Sequence, residues 1–442
     1  MNFLELLKTD FVIKTDSRDV ESGDIFLALK GTRADDEEMN SHSFVKQAIS
    51  NGASYAIVSE DLPWISDEKL IKVADTFEAY AKIGNHFRKK FKGKVIGITG
   101  SSGKTSTKEA LKQMLSHFGK VYATPKNLNS QLGVPQVLCD IDMTADFAIV
   151  EMGMSHVGEM QKLTEMVEPD IAIVTNVYPM HLDYFNSVEQ IAFEKSQIFN
   201  GLSENGVAIY NADSLQVDVL KKNTRNHKTI SFGEKSRDIC LKKVDNTISH
   251  ISINKEIIQF ALPEDNIAFR YNSLAVIAVA MALSLELKKL FPLIKEIKPA
   301  DARGTIMPIK YNGKRITLVD DSYGGGHAVN MEIGLQRLMN AKGKRKIAVI
   351  GNMAELGNQM KKQHKRVGKI LNNLKIDKIF LVGEPTKWIA DELSNHKNFV
   401  RVEKLEELGT QVEDMLKFGD VLFIKGARYS SQVYKLADKL KK

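Results

Sequence analysis

Seven residues in one stretch, Thr99-Gly-Ser-Ser-Gly-Lys-Thr105, combine two glycines, a lysine and several hydroxyls. Gly100 and Gly103 let the backbone pass close to an anion, so that the N–H groups of Ser101, Ser102 and Ser106 can point at phosphate oxygens. Lys104 can reach terminal phosphates, and the Thr105 hydroxyl can ligate Mg²⁺. The chemistry is phosphate binding with Mg²⁺. One feature departs from the usual phosphate loop, which carries a glycine five residues before Gly103. That position is Ile98, with Gly97 one residue earlier. Further polar residues have side chains suited to holding polar or anionic groups. Glu151 ends an apolar run, where an oxygen ligand for nucleotide-bound Mg²⁺ would be needed. Arg18 offers paired hydrogen bonds to a diphosphate, and Lys30 adds a further donor. Asn127 and Asn129 offer uncharged donors and acceptors.

Strands and helices must position these groups. An apolar β-type run ends at Thr99 and a helical pattern runs from Lys104 toward Phe118, giving the strand, loop and helix that a phosphate site requires. Further runs at 147–151, 171–176 and 207–210 alternate with helical patterns, which predicts a parallel sheet covered by helices. In such sheets ligands sit beyond the carboxyl ends of the strands, where the loop, Glu151 and Asn176 all fall. Residues 238–262 change to short alternating segments, read as an antiparallel edge. The expected architecture is α/β with three domains: a small α/β unit over 1–88, a central nucleotide-binding domain over 89–300 and a Rossmann-like domain over 301–442. A chain of 442 residues is too long for one ordinary core.

Composition narrows the function. With 62 basic against 55 acidic residues the net charge is +7, yet the lysines are scattered and no basic stripe with interleaved aromatics occurs. Nucleic acid is therefore disfavoured against small polyanionic substrates. Cys139 and Cys240, the two cysteines, imply neither a disulfide framework nor a zinc site. No run approaches about 18 apolar residues and the start lacks a basic leader, so a cytoplasmic protein without a transmembrane segment is expected.

The glycine-poor phosphate loop resembles that of the Mur ligase family, and motifs along the whole chain resemble the family's MurF branch. Asn127-Leu-Asn-Ser-Gln-Leu-Gly-Val-Pro135, Glu151-Met-Gly-Met-Ser-His-Val-Gly-Glu159, Gly351-Asn-Met-Ala-Glu-Leu-Gly357 and Lys425-Gly-Ala-Arg428 carry the likeness. Thr15-Asp-Ser-Arg18 with Leu29-Lys-Gly31 resembles the family's UDP-binding domain, which implies that Ser17, Arg18 and Lys30 hold a uridine diphosphate. The resemblance further implies that Asn127 and Asn129 lie against a muramoyl substrate. Thr105, Glu151, His181 and Lys195 would serve two Mg²⁺ ions, with Lys195 carbamylated by CO₂. Asn272, Arg303, Asp320 and Tyr323 would meet the nucleotide. Lys104, His181 and Lys195 are the implied catalytic residues.

The activity so implied is ATP-dependent, ADP-forming ligation of D-alanyl-D-alanine to UDP-N-acetylmuramoyl-tripeptide through an acyl phosphate. The setting would be peptidoglycan precursor synthesis, hence cell shape and division, by a monomer. Several positions depart from the family pattern: Asn40-Ser-His-Ser-Phe44 after an acidic insertion at 35–38, Gln197, Tyr271, Ala302 and Asn352. The largest departure is Gly324-Gly-Gly-His327, where the family has amide side chains, and it predicts looser closure over the nucleotide. The rival ligases are folylpolyglutamate synthase, disfavoured by the UDP domain, and MurE, disfavoured by the Met-Ala-Glu-Leu-Gly segment. A catalytically weak nucleotide-binding partner is disfavoured by Lys104, Thr105, Glu151, His181 and Lys195.

Overall fold

A computed structural model describes residues 1–32, 38–224, 226–264, 266–324, 326–394 and 398–442. Residues 35–37 of the acidic insertion and Gly325 lie outside the described residues. Three large sheets succeed one another along the chain, with a two-stranded one, Lys30–Thr32 and Glu38–Asn40, beside the first. The first has four parallel strands, ordered Ile13–Lys14, Ile25–Leu27, Tyr55–Val58 and Leu70–Lys72. The helix Thr76–Lys90 follows, capped by Asp75, whose carboxylate accepts from the N–H groups of Phe77 and Glu78. It docks the first sheet onto the next unit, because Arg88 donates to the carbonyls of Val167 and Glu168 and pairs with Asp170 at 3.2 Å.

The central sheet has nine strands. Ile171–Val174 and Lys94–Thr99 sit at its middle, flanked by Phe147–Glu151 on one side and Val207–Asn211 on the other. All these pairs are parallel, and the strands are fully buried, apart from Lys94, by helices on both faces. That burial on both faces explains their continuous Val and Ile runs. Ile239–Asp245, Ile248–Ile253 and Glu256–Ala261 form the antiparallel edge expected from their alternation. Gly97 has a packing reason: a Cβ there would come within 2.6 Å of the Met152 methyl and 3.3 Å of Pro169. Ile98, where a phosphate loop ordinarily has glycine, points into the core.

The third sheet has six strands, ordered Thr305–Tyr311, Lys314–Asp321, Val421–Lys425, Lys346–Gly351, Lys378–Val382 and Phe399–Val402. Its first pair is antiparallel and the remainder parallel, with an apolar core on each face. The parallel strands of the second and third sheets end beside one another.

Candidate active site

A cavity of about 1000 Å³ lies between the central and third sheets at those strand ends. Ser101, Ser102, Gly103, Lys104, Thr105 and Ser106 form one wall. Gly103 adopts φ +80° and starts the helix Lys104–Leu115, which leaves the first N–H groups of that helix to face an anion. The loop is built against its neighbours. Asn176 accepts from Ser102 N at 2.8 Å and donates to Ser102 O at 2.9 Å, while the Thr175 hydroxyl donates to Ser102 O at 2.6 Å. Gly100, at φ +151°, sits so close to Thr175 that a Cβ would collide with its hydroxyl.

Lys104 bends back to donate to Gly100 O at 2.9 Å. Burial lowers the pKa of its ammonium, Glu151 opposes that shift and Arg303 adds to it. Glu151 is 1% exposed. Its Oε1 accepts from the Thr105 hydroxyl at 3.2 Å and from Asn129 Nδ2 at 2.8 Å. Its Oε2 is buried without a hydrogen bond, 3.9 Å from Lys108 Nζ. A buried carboxylate oxygen without a donor is costly. Beside a threonine hydroxyl and a phosphate loop it has the chemistry of a Mg²⁺ ligand, since Mg²⁺ commonly takes one or two carboxylates together with substrate phosphates. Among the described residues no group of three His, Cys, Asp or Glu side chains could hold a metal by itself. The donor set therefore fits a nucleotide-bound ion and not a closed protein cage.

His181 lines the same cavity. Its Nδ1 lies 2.5 Å from Glu355 Oε2. Burial is the main cause of its lowered pKa, with Glu355 opposing. Lys195, in the helix Val188–Ser196, stands behind the wall and is 1% exposed. Burial lowers its pKa strongly, and the nearby Lys104 lowers it further. Its ammonium makes no ion pair among the described residues. Asn272 and Arg303 line the cavity, Asn272 accepting from the Thr107 hydroxyl at 3.2 Å.

Other expected positions lie elsewhere. Asp320 lies off the cavity wall: the side chains at 320 and 321 leave the strand on opposite faces, so Asp320 is buried against Lys441, 2.5 Å away, while Asp321 reaches the cavity and binds Lys425 at 2.7 Å. Tyr323 is off the wall too, sandwiched between the guanidinium groups of Arg303 and Arg428, each 4.6 Å from its ring. Asn127 is exposed and off the wall, its neighbour Asn129 alone reaching Glu151. Ser17, Arg18 and Lys30 remain in the first domain. Arg18 pairs with Asp16 at 2.5 Å, holding that carboxyl down at about 2, and Lys30 pairs with Glu60 at 2.5 Å.

The triglycine is not an empty gap. A Cβ on Gly324 would come within 2.6 Å of Arg303 Nη1, and one on Gly326 would overlap the Met180 methyl. These side chains occupy the space that larger residues would take. Asp321, Glu355 and Lys425 are not among the site residues expected from sequence, although the segments carrying them are. Asn330 accepts from the Ser102 hydroxyl at 2.9 Å, and His327 stacks on Tyr178 at 5.2 Å, so the third domain touches the phosphate loop directly.

Comparison with known proteins gives the same picture. The model of the Mur ligase family catalytic domain matches residues 12–88, that of the Mur ligase middle domain matches 98–280, and that of the Mur ligase glutamate ligase domain matches 307–428. The chain is 32% identical over 424 residues to the UDP-N-acetylmuramoyl-tripeptide--D-alanyl-D-alanine ligase of Rickettsia prowazekii, covering 94% of this chain and 92% of that protein. The enzyme of the same name from Escherichia coli is 31% identical over 392 residues, covering 86% and 82%. Among solved structures, MurF from Acinetobacter baumannii superposes with a TM-score of 0.85 at 28% identity over 97% of this chain and 93% of that one. The MurF ligase from Thermotoga maritima in complex with ADP gives 0.81 at 25% identity, over 99% and 98%. Matched in all three of its large sheets and along nearly its full length, the chain belongs to the Mur ligase family.

Proposed function

We infer that the protein joins D-alanyl-D-alanine to UDP-N-acetylmuramoyl-tripeptide, with cleavage of ATP to ADP and phosphate. The observation that carries this reading is the convergence of the phosphate loop and the unpartnered oxygen of Glu151 in a cavity roofed by the third domain. The loop amides and Lys104 hold the nucleotide phosphates and offset charge gathering on the transferred group. Thr105 and Glu151 would hold one Mg²⁺, and His181 with a modified Lys195 a second. Bound there, the ions supply further charge neutralisation.

The buried, electropositive setting of Lys195 supports its modification. Only a neutral amine attacks CO₂, and burial beside Lys104 favours that form. A nitrogen–carbon bond forms, one proton leaves to solvent, and the resulting carbamate is an oxygen donor. In the ligation a carboxylate oxygen of the tripeptide attacks the γ-phosphorus and ADP leaves, giving an acyl phosphate. The deprotonated amine of D-alanyl-D-alanine then attacks the acyl carbon and inorganic phosphate leaves. A roof that excludes water protects the acyl phosphate from hydrolysis.

Ser17, Arg18 and Lys30 are the proposed uridine diphosphate contacts, with Asn127 and Asn129 against the muramoyl part. Arg18 and Lys30 would exchange Asp16 and Glu60 for phosphate, and exposed pairs of this kind cost little to break. The proposed units are 1–88, 89–300 and 301–442, in a monomer working in the cytoplasm. Among the described residues no helix is long and apolar enough to cross a membrane. The test is phosphate release from ATP with UDP-N-acetylmuramoyl-tripeptide, with and without D-alanyl-D-alanine. Release requiring both substrates supports the reading, and release indifferent to both overturns it.

A further inference from the structure

The cavity histidine is gripped by a carboxylate from another domain. His181 follows the central strand Ile171–Val174, whereas Glu355 follows Lys346–Gly351 of the third sheet. Their side chains meet at 2.5 Å, at an angle outside regular hydrogen-bond geometry. Backbone contacts lock the same two loops together. Leu182 N donates to Glu355 O at 3.1 Å, and Gly357 backs onto Leu182 so closely that a Cβ would come within 2.5 Å of its carbonyl oxygen. His181 and Glu355 both adopt left-handed backbone, at φ +59° and +57°. Such conformations are strained for residues other than glycine and persist where the surroundings over-determine them. Two strained residues facing each other across a domain boundary mark a built contact.

A neutral imidazole carries one N–H, and the partner of one ring nitrogen decides which. We propose that Glu355 is a positioning residue for His181: brought in by the third domain, it draws the proton to Nδ1 and leaves the Nε2 lone pair for a cation in the cavity. The cation site is then completed by a residue of the third domain. Carboxylate partners of this kind set the tautomer and orientation of metal-binding histidines, and their removal costs about 10–100-fold in affinity or activity. The proposal rests on the ligase reading for the purpose of the cation, not for the tautomer.

The test uses the full chain labelled with ¹⁵N-histidine, the His181→Gln variant to assign the signal, and Mn²⁺ with a non-hydrolysable ATP analogue to measure ion binding by electron paramagnetic resonance. The expected wild-type spectrum has His181 protonated at Nδ1 and bare at Nε2. Glu355→Ala and Glu355→Gly should each weaken Mn²⁺ binding by about tenfold or more. Glu355→Gln, which keeps an acceptor oxygen, should stay within about threefold of wild type, and the KM for the UDP substrate should hold in all three. Glycine suits the left-handed backbone, so Glu355→Gly carries the test if the alanine variant fails to fold. Wild-type protonation at Nε2, or Mn²⁺ binding in Glu355→Gly equal to wild type, overturns the proposal. A wild-type enzyme with the expected tautomer and Mn²⁺ response but no ligation would instead refute the ligase reading alone.

Discussion

At the scale of single residues, Lys104 and Lys195 show how differently two lysines can be read. Lys104 follows a glycine at the start of a helix after a buried strand, and that local context is enough to place it at a phosphate site. Replacing it with alanine should lower turnover a hundredfold or more, the usual result of removing one preorganised electrostatic partner, worth roughly 2.7–4 kcal/mol. The fold should survive, because among the described residues the ammonium donates only to the Gly100 carbonyl. A variant retaining above about a tenth of wild-type turnover would show that the loop holds no phosphate. Lys195 carries no such local signal, since a lysine on a short helix is ordinarily solvated. Its burial, which depresses its pKa, and the proximity of Lys104, which lowers it further, arise only from tertiary packing. Lys195→Ala should be nearly inactive and partly rescued by formate or acetate at the vacated ligand position. Absence of rescue, with undiminished wild-type activity in CO₂-free buffer, would rule out the carbamate. The neighbours Asp320 and Asp321 mark the limit of reading by residue type, because an Asp-Asp pair at a strand end does not reveal which carboxylate faces the ligand.

At the scale of elements, buried parallel strands and the antiparallel edge are legible from periodicity, whereas contacts between loops are not. Two positions, a helix cap and a left-handed residue, make predictions. His327 starts the helix Ala328–Asn340, accepting from Val329 N through Nδ1, while its Nε2 is buried without a hydrogen bond. Burial first, and then Arg366, push its pKa from 6.5 down to about 4. Between those values the unfolded chain binds a proton that the folded one does not, so the folded state loses stability as pH falls from about 6.5 toward 4, by up to roughly 3 kcal/mol. His327→Asn keeps a capping side chain and removes the titration. Its thermal midpoint should fall less than that of wild type between pH 6.5 and 4.5, and parallel curves would contradict this account. Ala302 stands where the family has glycine, with φ +53°. Restoring glycine should relieve about 1 kcal/mol of strain, partly offset by the greater freedom of the unfolded chain. Chemical denaturation of Ala302→Gly should show a transition midpoint equal to or above that of wild type, and a lower one would locate the strain elsewhere.

At the scale of the whole molecule, function depends on three units meeting, and this is where the sequence said least. The triglycine illustrates it. Read alone it implies lost hydrogen bonds and a floppy roof, but in the fold Arg303 and Met180 fill the space beside Gly324 and Gly326. Putting asparagine at 324 should therefore push Arg303 off the cavity wall and raise the KM for ATP, the reverse of what restoring a family residue suggests. Steady-state kinetics of Gly324→Asn with ATP would show it, and a lowered KM would favour the reading from sequence. The central claim, activation of a carboxylate by phosphoryl transfer in the roofed cavity, has a direct isotopic test. UDP-N-acetylmuramoyl-tripeptide labelled with ¹⁸O in its terminal carboxylate is incubated with ATP, Mg²⁺ and D-alanyl-D-alanine, and the phosphate released is analysed by mass spectrometry. The account predicts one ¹⁸O atom in each phosphate per amide bond formed; phosphate carrying no ¹⁸O while ATP is consumed would contradict it.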